Sequence, residues 1–240
     1  MRPLLRALLA ATLVALALAS PSTAVLDGES DTEHPYVGVL VTEIGGEVVP
    51  VCSGFLVSPT VFVTAGHCVD DLGGVLPALV SFDQALTPGS ELLTGTAVPN
   101  PRFVANGSFA NDVALVSLDD PVTDRGFAQL PGPDRLASVP RSSTLTVVGY
   151  GATARHGNRL QSHLMRTFGE ARLVKTEKKM AHLRMSTGIC FGDSGGPVLL
   201  GESDLAVAVN SFVSNRQCAG NSFAYRLDTA EARAFLAPYL

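Results

Sequence analysis

The chain is poor in charge. Only 16% of its 240 residues are Asp, Glu, Lys or Arg, where soluble domains carry roughly a quarter. With 46% apolar residues, that excludes intrinsic disorder, which needs low hydrophobicity and high charge. Four cysteines are too few to be the main scaffold of a chain this long, although they suffice for two bridges or one metal site. Gly (23) and Pro (15) are too few for a collagen and too many for a coiled coil. Positive charge is also short. The formal net charge is −5, which argues against nucleic acid or another polyanion as partner. Beyond the N-terminus no apolar run is long enough to span a membrane.

The N-terminal run has its own anatomy. Arg2 and Arg6 precede Ala7 to Ala19, a stretch apolar except for Thr12, and Pro21 then leads to Ser22, Thr23 and Ala24. A basic start, a short apolar middle and small residues at the −3 and −1 positions read as a secretory signal peptide over residues 1–24. The apolar part is too short for a membrane anchor. Cleavage after Ala24 leaves 15 basic and 22 acidic residues, a net −7. It delivers residues 25–240 to an extracellular or periplasmic space, where disulfides persist.

The rest of the chain shows short β-branched runs separated by Gly, Pro, Asp and Ser. Tyr36–Thr42, Glu47–Val57, Val61–Thr64, Ala78–Phe82, Val113–Leu118, Leu145–Val148, Val198–Leu200, Leu205–Val209 and Phe223–Leu227 are examples. Such runs predict an all-β barrel or sandwich. One helix is expected at the C-terminus, capped by Asp228 with Glu231 three residues on. Residues 155–184 hold eight basic and two acidic residues. They read as a solvated surface loop in preference to a docking patch for an acidic partner.

Three motifs carry chemistry: Thr64-Ala65-Gly66-His67-Cys68, Asn111-Asp112-Val113-Ala114-Leu115 and Gly192-Asp193-Ser194-Gly195-Gly196-Pro197. Glycines around Ser194 let the backbone turn tightly beside the hydroxyl and aim N–H groups at one point, as an oxyanion hole requires. A serine is a poor nucleophile without a base, normally a histidine oriented by a carboxylate. Gly192, Ser194 and Gly196 also fit the G-x-S-x-G elbow of α/β-hydrolases, where the histidine follows the serine. All five histidines here precede Ser194, so that fold cannot supply its base. The order His67, Asp112, Ser194 is the chymotrypsin-like one.

On these motifs the chain, from Val25 to the C-terminal helix, resembles secreted serine proteases of the chymotrypsin/trypsin family. The resemblance implies two six-stranded antiparallel β-barrels with a short C-terminal α-helix. Ser194 then resembles the nucleophile, His67 the general base, Asp112 the carboxylate that orients it, and the N–H groups of Gly192 and Ser194 the oxyanion hole. Cys52 and Cys68, and Cys190 and Cys218, sit where the family forms disulfides; a zinc site would favour closer pairs. Gly149-Tyr150-Gly151 resembles the family's Gly-Trp-Gly. Ser211-Phe212-Val213 resembles its substrate-pairing segment. Gly188 and Ile189 fall at the floor of the pocket for the residue before the scissile bond (P1). Val213 and Phe223 fall on its walls, where wide-pocketed members have glycine. No acid at that floor would pair with Arg or Lys, so small or medium apolar P1 residues are expected. Val25 matches the family's activating N-terminus, whose ammonium pairs with the aspartate before the nucleophile, here Asp193. No cofactor is implied, and no acidic loop declares a calcium site. Protein or peptide substrates, proteinaceous inhibitors and a monomeric state are implied. The remaining histidines have no matching role and are expected at the surface. The alternative is a catalytically dead relative used for binding; such proteins usually lose a triad residue, and all three stand here.

Overall fold

The structure is a computed structural model and describes residues 28–71, 77–105, 109–152, 154–156, 159–162, 164–185, 189–218 and 220–240. The signal segment, Val25 and Gly188 lie outside the described residues.

The first barrel contains β2 (Val37–Ile44), β3 (Glu47–Ser58), β4 (Val61–Thr64), β5 (Ala78–Ser81), β6 (Leu93–Val98) and β7 (Ala114–Leu118). They close in the order β2-β3-β4-β7-β6-β5, with β5 pairing back onto β2. The hairpin between β2 and β3 turns at Gly45 and Gly46, φ 64° and 85°. A two-residue type I′ turn needs positive φ at both positions. A one-turn helix, α1 (Gly66–Asp71), follows β4 and carries His67.

The second barrel contains β8 (Thr144–Gly149), β11 (Thr167–Thr176), β12 (Met180–Met185), β13 (Pro197–Leu200), β14 (Ala206–Val213) and β15 (Asn221–Arg226). The ring closes through β11 and β8. A short hairpin, β9 (Ala154–His156) and β10 (Arg159–Gln161), lies between β8 and β11. The N-terminal strand β1 (Glu29–Ser30) joins β11 of the second barrel before the chain enters the first. Both barrels are antiparallel and six-stranded, and a short helix, α2 (Ala230–Leu236), ends the chain.

Two expectations are corrected. The basic segment is not a surface loop, because half of it is β11 and β12 and further residues lie in β9 and β10. Its buried positions are small or aliphatic, Gly169, Ala171 and Leu173 alternating with exposed Glu170, Arg172 and Val174, so the apolar signal is weak although the period is two. Its charge is also dispersed, since Arg166 is buried and Lys175 pairs with Glu177. At the C-terminus the cap is Thr229, whose hydroxyl accepts from Ala232 N–H at 3.2 Å. Asp228 is unavailable, because both its oxygens bind the Arg226 guanidinium and one also accepts Leu136 N–H.

The barrels are held together by packing and by one buried cation. A single apolar cluster runs from Val37 and Phe55 in the first barrel to Tyr150, Tyr225 and Leu236 in the second half. Within it the Arg166 guanidinium donates to Asp31 (2.9 Å), to the carbonyls of Val37 (3.1 Å) and Phe82 (3.2 Å), and to Gln84 (3.0 Å) and Tyr150 OH (3.2 Å). Arginine's fork of donors suits a buried site with several acceptors. His34 binds the other Asp31 oxygen at 2.6 Å, so this histidine belongs to a half-buried network and not to the surface. Burial pushes the Asp31 carboxyl up, but His34 and Arg166 outweigh it and hold it below its ordinary value.

Removing Arg166 strands a buried carboxylate, which costs about 3–5 kcal/mol. Because the folded pKa of Asp31 lies below the unfolded one, its stabilisation is present above the unfolded value and lost as pH falls through the folded one. Urea unfolding of Arg166→Met should therefore show a large deficit at pH 7 that narrows under acid. A deficit independent of pH would contradict this account.

Candidate active site

The site lies in a cleft of about 710 Å³ between the barrels. From the first barrel come His67 and Asp112. The Asp112 carboxylate is fully buried and accepts three kinds of donor: His67 N–H at 2.9 Å, His67 Nδ1 at 2.9 Å and the Ser211 hydroxyl. Backbone N–H and Nδ1 of one residue bonded to one carboxylate fix the ring's position and leave Nε2 for the cleft. Asn111 sets up this geometry from behind. It holds a left-handed φ of 59°, which asparagine tolerates. Its side chain donates to Arg102 O (2.6 Å) and accepts from Lys179 Nζ (3.0 Å) and Tyr225 OH (3.3 Å).

From the second barrel comes the turn bearing Ser194. Ser194 and His67 line the same cleft. The Ser194 hydroxyl bonds the Ser211 carbonyl at 3.5 Å, and among the described residues it makes no hydrogen bond to His67. Loose geometry at catalytic hydrogen bonds is common before substrate binds. Gly192 has φ 99° and Gly195 φ 84°. At Gly195 a Cβ would overlap the Ser53 carbonyl and Thr64 hydroxyl oxygens; at Gly196 it would overlap the Val148 carbonyl. The N–H groups of Gly192 and Ser194 donate to no protein group among the described residues.

Asp193 points away from the cleft. It is buried between Gly149 and Gly151, where any Cβ would overlap its carboxyl. It accepts N–H bonds from Gly151 and Cys190, both 2.9 Å. Burial outweighs these bonds and pushes its pKa up to about 7. No cation pairs with it among the described residues.

The disulfides Cys52–Cys68 and Cys190–Cys218 flank the cleft. Cys52, Cys68 and His67 offer ligand atoms within 4.8 Å of one another. Both sulfurs are bonded to each other, so neither is a thiolate free to hold a metal.

The Trypsin family model matches residues 27–232. The chain belongs to the trypsin family of serine endopeptidases. It is similar to serine protease SP24D of Anopheles gambiae, 30% identical over 179 residues, 68% of this chain and 63% of that one. Similarity to human granzyme M is 28% over 233 residues, 88% of this chain and 87% of the relative. Among solved structures, HL collagenase superposes with TM-score 0.70 at 21% identity, covering 85% of this chain and 94% of that one. Human heparin binding protein gives 0.69 at 20%, covering 90% and 96%. At such identities the structures attest the fold.

Against the family pattern, the pocket residues divide. Ile189, Ser211, Phe212 and Val213 line the cleft. Phe223 does not. It lies opposite Phe212 in the β14–β15 ladder and stacks on it at 4.6 Å, with His182 edge-on behind it. Alternation along β15 turns Ser222 and Ala224 to the other face, and Phe223 packs on Phe212 and is not among the residues that line the cleft. Sequence reasoning also passed over Phe109, which meets the His67 ring edge-on at 5.6 Å and stacks on Phe212 at 5.0 Å. Its position three residues before Asp112 was the available signal. Ser53 and Ala152, both bonded to the serine turn, gave none.

Proposed function

We propose that this trypsin-family chain is exported and hydrolyses peptide bonds by acyl transfer through Ser194, His67 and Asp112. The observation that carries the reading is the buried Asp112 carboxylate bound to His67 Nδ1 at 2.9 Å in the cleft that Ser194 lines. Ser194 attacks the scissile carbonyl as His67 Nε2 takes its proton. Asp112 holds the ring in the tautomer with Nδ1–H and stabilises the imidazolium that forms. The N–H groups of Gly192 and Ser194 receive the carbonyl oxygen as it becomes negative. His67 returns the proton to the leaving amine, and water then cleaves the acyl-enzyme in the same manner. Substrates are proteins or peptides.

For P1, the apolar Ile189 and Val213 line the cleft, and among the described residues its lining contains no carboxylate apart from Asp70. This supports small or medium apolar P1 residues over Arg or Lys. Ser194→Ala should lower kcat on a peptide substrate by several orders of magnitude and leave thermal unfolding unchanged. Retention of more than about a hundredth of the activity would show that Ser194 is not the nucleophile. In a P1 library on the wild-type protein, Ala, Val or Leu should dominate; Arg and Lys dominance would overturn the pocket assignment.

Activation follows from Asp193. We assign its partner as the ammonium of Val25, freed when the signal segment is cut after Ala24. A carboxyl raised by burial is favoured in its charged form by an adjacent cation, so the free terminus should extend activity to lower pH. Activity should fall at alkaline pH, as the ammonium titrates above its usual range of roughly 7.7–8.0. N-terminal sequencing of the exported protein should read Val-Leu-Asp-Gly. A version with one extra residue before Val25 should be nearly inactive; full activity in it would refute the ion pair.

A further inference from the structure

Ser53 sits on β3 of the first barrel, fully buried beside Cys52 and outside all three motifs. Each of its polar groups is committed near the serine turn. Its hydroxyl donates to the Gly192 carbonyl at 2.7 Å and accepts Tyr150 N–H at 2.9 Å. Its N–H donates to the Ser194 carbonyl at 2.8 Å. Its carbonyl accepts the Thr64 hydroxyl at 2.8 Å.

These bonds fall on the backbone that aims the Gly192 amide. Glycine has no side chain to restrict its torsions, so the two peptides flanking Gly192 must be held from outside. The peptide before it is held through Phe191 O, which accepts Ala152 N–H at 3.0 Å. In a planar trans peptide the N–H points opposite to the C=O, so this bond turns Gly192 N–H away from Ala152. The peptide after it is held at both ends: Asp193 N–H donates to Cys190 O at 3.1 Å, and Gly192 O has the Ser53 hydroxyl as its one partner among the described residues. That same hydroxyl ties the Gly192 carbonyl to Tyr150 N–H, between the two glycines that enclose Asp193. Without it, the Gly192 carbonyl and the buried Tyr150 amide both lose their partner, which favours a rearranged turn.

We propose that Ser53 is a positioning residue: a hydroxyl from the first barrel that pins the Gly192–Asp193 peptide and so fixes the Gly192 N–H toward the substrate carbonyl oxygen. The inference rests on the peptidase reading above. It predicts a loss confined to the charged tetrahedral state, because ground-state binding makes less use of that donor.

The test compares wild type with Ser53→Ala in the full exported chain. Activity is read on a peptide anilide with leucine at P1. Binding is read with a peptide aldehyde, which forms a tetrahedral adduct on the serine, and with the corresponding alcohol, which does not. Deleting an oxyanion donor outright costs ~10²–10³ in kcat, and misaiming one should cost less. For Ser53→Ala the expected result is kcat down about 10- to 100-fold, KM within about twofold, and aldehyde affinity down in step with kcat while alcohol affinity holds. A purely structural role would lower the melting temperature and leave the aldehyde-to-alcohol ratio unchanged. Ser53→Gly opens room for about one water, which can bridge the two groups less rigidly. Its loss should be smaller than that of alanine, yet at least about threefold. If Ser53→Ala does not fold, the glycine variant carries the same comparison. Either variant, folded and matching wild type in kcat and in the affinity ratio, overturns the proposal while leaving the peptidase reading intact. A wild-type chain that neither cleaves the anilide nor is labelled by a fluorophosphonate overturns both.

Discussion

The turn that bears Ser194 belongs to the second barrel by chain order and rests on the first by hydrogen bonding. Ser53 N–H donates to the Ser194 carbonyl at 2.8 Å, and Gly195 N–H donates to Asn210 O at 2.8 Å on β14. The turn is thus clamped between one strand of each barrel. This close approach leaves no room for side chains at Gly195 and Gly196, where a Cβ would overlap backbone oxygens of Ser53 and Val148. A residue other than glycine at either position would part the barrels or open the turn, and the cleft would lose the geometry that sets Ser194 beside His67.

Charge is distributed around this seam with opposite consequences. Asp31 and Arg166 are both buried and fully engaged, and their network reaches the Val37 and Phe82 carbonyls of the first barrel and the hydroxyl of Tyr150, which follows β8 of the second. Buried ion pairs are stable only when further hydrogen bonds offset desolvation, and here those bonds link β1, the first barrel and the start of β11. Asp193 is equally buried but has N–H donors alone, so burial dominates and its pKa rises to about 7. One carboxylate is therefore a settled structural element, while the other has no cation beside it among the described residues.

Aromatic side chains continue the site outward. The His67 ring meets Phe109, Phe109 stacks on Phe212, Phe212 on Phe223, and Phe223 meets His182 edge-on. Stacked and edge-on pairs each contribute about 0.5–1.5 kcal/mol beyond the area they bury. Phe109 holds φ 44°, unusual for a bulky residue, and its ring is packed between His67 and Phe212. The arrangement joins the loop before Asp112 in the first barrel to β14 and β15 in the second.

Much of this was determined by the sequence alone. Close spacing of β-branched runs implied an all-β barrel or sandwich; the two six-stranded barrels followed only from the resemblance that the three motifs carry. The residues of the candidate site were legible because the roles proposed for them demand particular neighbours, such as the glycines around Ser194, and because chain order excluded the competing hydrolase fold. Local signals failed where contacts are long-range. Strands β11 and β12 were hidden because their interior positions mix small and aliphatic residues between charged ones. Asp228 looked like a cap until Arg226 and Leu136 claimed it, and Phe223 looked like a pocket wall until the β14–β15 ladder set it against Phe212. The tertiary structure decided what distance along the chain conceals. It set Ser53 against Gly192, 139 positions away, and Arg166 against Asp31, 135 positions away. A hydroxyl or a guanidinium in sequence carries no mark of its partner; only closing the two barrels against each other brings the pair within bonding distance.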